Sequence, residues 1–123
     1  MTAPENITLL EPNEIFVFGS NRNGFHMGGA AKQALDKFGA IYEQGEGLQG
    51  QSYAIPTLRR DMKPYALTTI RRFVYDFLYF AEKHPDKTFL LTKVGCGIAG
   101  FDEADMKKMF VKVPKNVIKP EGW

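Results

Sequence analysis

Residues 19–31, Gly-Ser-Asn-Arg-Asn-Gly-Phe-His-Met-Gly-Gly-Ala-Ala, constrain the fold more than any other stretch of the chain. They follow Ile15, Phe16, Val17 and Phe18, a compact apolar run that predicts a buried strand. They lead into Ala30, Ala31, Ala34, Leu35 and Phe38 along one side of a helix, with Lys32, Gln33, Asp36 and Lys37 along the other. The order is strand, glycine-studded loop, helix. Such a loop lets the backbone approach a ligand closely, and the first helical turn offers free N–H groups at a positive dipole end. That suits an anion, most often a phosphate. A tight connection that binds nothing is the competing reading.

A second junction of the same kind weighs towards the ligand. Residues 88–94 read as a strand, and Gly95, Cys96, Gly97, Ile98, Ala99, Gly100 and Phe101 follow before Asp102 starts another helix. Two glycine-rich junctions at the carboxyl edge of one sheet would flank a single phosphate-bearing small molecule.

The remaining segments fill in an α/β chain. Pro4, Pro12 and Asn13 surround Ile7, Thr8, Leu9 and Leu10, read as an edge strand or a covering segment. The first helix is expected from about residue 29 to 38, with Gly39 as its stop. Residues 40–42 suggest a short strand, and 43–51, with three glycines, a long polar loop of the kind that leans towards function. A strand over 52–55 is expected to end at Pro56, and 57–64, carrying Arg59, Arg60, Asp61 and Lys63, to form an exposed connection. Leu67, Ile70, Phe73, Val74, Phe77, Leu78 and Ala81 form an apolar stripe at helical spacing, closed by His84 and Pro85. Asp102 suits the N-cap of a short helix over 103–110, and 111–119 form a last strand or extended tail. Alternating strands and helices predict an α/β sheet with helices on its faces, in one domain covering 1–123.

Composition sets limits on function. The net charge is only +2, and Arg59–Arg60, Arg71–Arg72 and Lys107–Lys108 are isolated pairs, so no partner of duplex nucleic acid is expected. One cysteine excludes an intramolecular disulfide, and no Cys/His set has zinc-ligand spacing, so no metal is expected. Without a signal-like N-terminus or a membrane-length apolar run, the expected setting is cytoplasmic with no membrane partner. No cofactor is expected. Residues 95–100 match GxGxxG, but the 23 residues after Gly100 hold no second strand ending in an acid of a dinucleotide-binding unit. No Gly-Lys-Ser/Thr follows either loop, against a P-loop hydrolase.

Met27, Gly28, Gly29, Ala30 and Ala31, the upstream Asn21, and Gly97, Ile98, Ala99 and Gly100 resemble the two ligand loops of macrodomains, ADP-ribose-binding α/β modules. The compact branch that includes the terminal ADP-ribose protein glycohydrolase and related phage and bacterial proteins is most similar, over roughly residues 15–110. The wording of residues 45–57 also resembles small macrodomain-like proteins of bacteria and phages. The resemblance implies a three-layer, mixed-sheet domain that binds ADP-ribose or a related nucleotide. The implied ligand residues are Asn21, Met27, Gly28, Gly29, Ala30, Gly95, Gly97, Ile98, Ala99, Gly100 and Phe101. Backbone amides of 27–31 and 97–101 would hold the diphosphate, with Asn21 bonding a ribose. An ADP-ribosylated protein is a further implied partner.

The chain departs from that branch where its chemistry lies. The position of the branch's nucleophilic lysine holds Leu58, then Arg59, which stays protonated and cannot attack. Ala99 stands where the branch has an aspartate, and Glu14 is the nearest counterpart of an adenine-recognising acid. Binding therefore transfers better than hydrolysis. If the chain is a hydrolase of ADP-ribose derivatives, His26 is the candidate general acid or base, with loop packing as its other reading. Cys96 reads as a small core thiol, Glu46 and Gln49 as loop residues within possible reach of ligand, Phe25 and Phe101 as stacking or packing rings, and Tyr75 and Tyr79 as surface. A protein-interaction module of phage origin is the third reading.

Overall fold

β1 (Glu14–Asn21) is the middle strand of a five-stranded mixed sheet in the computed structural model, which describes residues 2–123. Parallel neighbours β3 (Ser52–Leu58) and β4 (Thr88–Leu91) flank it, β5 (Val117–Ile118) runs parallel beside β4, and β2 (Gly47–Gln49) pairs antiparallel with β3. Three α-helices complete the α/β fold: α1 (Gly29–Lys37), α2 (Leu67–Glu82) and α3 (Glu103–Lys107), the last continued by a 3-10 turn over Lys108–Phe110. Among the described residues, no helix is long and apolar enough to cross a membrane.

Successive strand side chains point to opposite faces, and the core divides accordingly. Phe16 and Phe18 pack with Ala34 of α1, Phe38, Ala54 and Leu90. Ile15 and Val17 pack with Ile70, Val74, Phe77 and Ala81 of α2, and with Phe89, Met106 and Phe110. One face of the sheet thus carries α1 and the other carries α2 with α3, which is why the middle strands read as continuous apolar runs.

Several boundaries differ from the sequence expectation. β3 runs through Pro56 to Leu58 instead of stopping at Pro56. β2 pairs with β3 only as far as Ala54, so a residue without an N–H sits beyond the ladder on that side at no cost in hydrogen bonds. β4 ends at Leu91 rather than 94: Thr92 N–H makes a last bond to the Val17 carbonyl at 3.1 Å, and Val94 N–H then donates to the Thr92 carbonyl at 2.8 Å in a tight turn that leaves the ladder. Residues 40–42 form no strand, whereas residues 47–49 of the expected polar loop do. Gly45 of that loop serves packing: a Cβ there would lie 2.4 Å from the Asn21 carbonyl oxygen, so only glycine lets the loop close against the end of β1. The segment before β1 is a cover, with Ile7 buried and Ala3 bridging to Pro120.

Candidate ligand-binding cleft

Because β1 and β4 are parallel neighbours, the segments that leave their carboxyl ends emerge at the same sheet edge. Between them lies a cleft of about 400 Å³. Asn21, Met27, Gly28, Gly29 and Ala30 line it from the first glycine loop; Gly95, Gly97, Ile98 and Ala99 line it from the second. Nine of the eleven expected ligand residues are therefore brought together. Gly100 and Phe101 do not line the cleft. Phe101 packs on the core, and its N–H donates to the Gly95 carbonyl at 2.9 Å.

The backbone supplies most of the cleft's hydrogen-bonding capacity. Gly28 caps α1 without any side-chain bond, and the N–H groups of a first helical turn have no partner within the helix. Among the described residues, Gly28, Gly29, Ala30 and Ala31 donate to no loop carbonyl, and neither do Gly97, Ile98 and Ala99. The expected donor set is narrower at its ends. Met27 N–H donates to Phe25 at 2.9 Å and Gly100 N–H to Gly97 at 3.0 Å, so both are already engaged in turning the loops.

The side chains brace this backbone or furnish an apolar rim. Asn21, the residue expected to bond a ribose, lines the cleft, and its amide holds the first loop in shape. Its Oδ1 accepts from Phe25 N–H and its Nδ2 donates to the Phe25 carbonyl, both at 2.9 Å. The hydroxyls at the floor face inward too: Ser20 donates to the Gly45 carbonyl, Thr57 to Ser20 at 3.1 Å, and Thr92 to Val17. Phe25, Met27, Met62 and Ile98 are exposed apolar side chains around the opening, and Phe25 stacks on Tyr42. Lys93 is the one charged residue among those lining the cleft.

His26, the candidate general acid or base, takes up its other reading, loop packing. It is 0% exposed and absent from the cleft lining. Its ring stands edge-on to Phe18, and Nε2 lies 3.1 Å from the Gln44 carbonyl and 3.2 Å from Gln49 Oε1. Burial beneath the loop turns the candidate catalyst into a core residue that joins 19–31 to the 43–51 segment. Gln49 is buried with it, holding the N–H of Ile41 at 2.7 Å. Glu46 pairs with Arg22 at 2.6 Å, and that guanidinium lies over the Phe73 ring.

The remaining candidates also have partners or positions away from the cleft. Glu14 begins β1 at the opposite sheet edge, where its carboxylate accepts from Glu11 N–H. Arg59 forms a two-bond pair with Asp61, which, with the Lys63 N–H, holds that exposed carboxyl down at about 2. Asp102 caps α3 through Ala104 N–H at 3.0 Å, as its sequence position predicts. Partial burial pushes the Cys96 thiol up, the reverse of what an activated nucleophile needs.

Ser20, Thr57, Met62, Thr92 and Lys93 also line the cleft without having been singled out from sequence. Thr92 and Lys93 had a usable signal, since they immediately precede the second glycine loop. Met62 had none: it reaches the cleft through a turn in which Met62 N–H bonds the Arg59 carbonyl and Met62 itself has φ 65°. Among the described residues, no group of three or more His, Cys, Asp or Glu side chains stands ready to hold a metal ion. No protein-family model, no curated protein and no solved structure matches the chain.

Proposed function

We propose that this protein binds ADP-ribose, or a closely related nucleotide diphosphate, in the cleft between its two glycine-rich loops. One observation carries the reading: both loops line one cavity, and seven of their backbone N–H groups, of Gly28–Ala31 and Gly97–Ala99, have no acceptor among the described residues. A diphosphate offers acceptors to both rows, and the α1 N-terminus favours its negative charge. The apolar rim of Phe25, Met27, Met62 and Ile98 suits the flat, weakly polar base of a nucleotide. The macrodomain resemblance of the same two loops points to the same ligand class.

Binding is favoured over hydrolysis by what lines the cavity. Its lining residues include neither a carboxylate nor an imidazole, and a water route to a glycosidic bond needs a general base within hydrogen-bond reach of that water. The test is a titration with ADP-ribose followed by amide NMR. The N–H signals of residues 28–31 and 97–99 should shift together and saturate. Signals that stay in place at millimolar ligand would overturn the assignment. In parallel, mono-ADP-ribosylated protein incubated with the chain should release little ADP-ribose; rapid release at catalytic enzyme concentration would replace the binder with a hydrolase.

A further inference from the structure

We propose that Lys93 reads the charge of the ligand by leaving Glu103 for a phosphate group, and that this exchange is transmitted to Trp123 at the C-terminus. The inference rests on the ligand reading above and adds the residue that selects for charge and the element that responds.

Lys93 lies between the end of β4 and the second glycine loop, and no other charged side chain lines the cleft. Its Nζ is 3.1 Å from Glu103 Oε1, and the two side chains are 46% and 51% exposed. An ion pair that open to water contributes little and is readily exchanged. A diphosphate carries two charges against the single charge of the carboxylate, and it reaches Lys93 from a cavity whose lining residues include no acid. The neighbouring crevice is less hospitable to an anion. Lys93 also forms part of the wall of that crevice, but there it meets Glu5 and Glu121. With Glu103 and Glu5 near the ammonium, the glycine cleft is the one of the two cavities lined by Lys93 that has no acid in its lining.

The response follows from what Glu103 holds. The oxygen that accepts from Lys93, Oε1, also accepts from the indole Nε1 of Trp123 at 3.0 Å. The indole packs on Phe110, with ring centroids 5.6 Å apart. When Lys93 turns to phosphate, this carboxylate keeps Trp123 as its partner and loses the cation, which changes the charge beside the indole. Trp123 is the only tryptophan of the chain, so its emission reports on this site alone.

The experiment titrates the full chain with ADP-ribose while recording tryptophan emission and, separately, the amide signals of residues 28–31 and 97–99. In the wild type both readouts should saturate at one midpoint. Lys93→Ala should weaken binding by about tenfold and flatten its salt dependence, whereas Lys93→Arg should keep both. Glu103→Gln should bind a few-fold more tightly and lose the emission change. Equal binding by Lys93→Ala and wild type would overturn the role of Lys93 while leaving the ligand reading intact. A wild type whose loop amides do not respond to ADP-ribose would overturn both.

Discussion

Glycine has two uses in the cleft, and substitution separates them. Neither Gly28, at φ −160°, nor Gly97 has a left-handed backbone. A Cβ on Gly97 meets nothing within 4 Å, and one on Gly28 meets only the flexible end of Ile98 at 2.8 Å. Gly28→Val and Gly97→Val should therefore stay folded, with stability changed by no more than about 1 kcal/mol, yet lose ADP-ribose binding by at least about tenfold as the side chain fills the phosphate's place. Gly95 differs: its φ is +80°, and its Cβ would press on Met106 and Phe101 at 3.2–3.3 Å. Gly95→Val should show its effect in thermal unfolding first. Calorimetry beside a melting curve distinguishes the cases, and unaltered binding by both the Gly28 and Gly97 variants would remove the loops from the site. For His26, the expected lesion is structural. His26→Ala empties a fully buried position and strips Gln44 and Gln49 of a partner, so urea titration should register a loss of about 2–4 kcal/mol.

At the scale of elements, local pattern and tertiary setting divide the credit. The α2 stripe is legible because Ile70, Val74, Phe77 and Ala81 recur at helical spacing, and these are its buried residues. Asp102 likewise caps α3 from a local signal. β2 is illegible because Gly47, Leu48 and Gln49 carry no strand pattern; pairing with Ser52, Tyr53 and Ala54 makes the strand. β3 lies wholly buried, and its Tyr53 yields a pH prediction. Burial, reinforced by Glu46 and Asp76, pushes the phenol up to about 12 from its ordinary 10.0. As pH rises, the unfolded chain gives up this proton before the folded one does. Stability from this group is complete below pH 10 and declines as pH climbs towards 12. Denaturant midpoints across that window should fall in the wild type and fall less in Tyr53→Phe; parallel curves would show that the phenol is not the group responsible.

For the whole molecule, the chain's ends close the structure beside the site. Ala3 N–H donates to the Lys119 carbonyl at 2.8 Å, Pro120 is buried, and Trp123 packs on Phe110. Removing residues 120–123 should lower stability by about 2–4 kcal/mol in urea unfolding, through lost apolar contact beneath α3. An unchanged midpoint would mean that the tail only rests on the surface.

The sequence by itself determined β1, α1, β3, α2, β4 and α3 in their order, though not β2, and the two loops that face the cleft, because apolar periodicity, glycines and caps act over a few residues. It also located nine of the lining residues, since each loop is continuous in the chain. Only the tertiary structure decided that His26 is sealed under its loop, that Asn21 braces the backbone, and that Met62 reaches the cavity. Burial, hydrogen-bond pairing and charge exposure depend on what distant segments bring alongside. His26 shows the reason most simply: Gln44 and Gln49 reach it across 18 and 23 residues of chain, and no local pattern carries that contact.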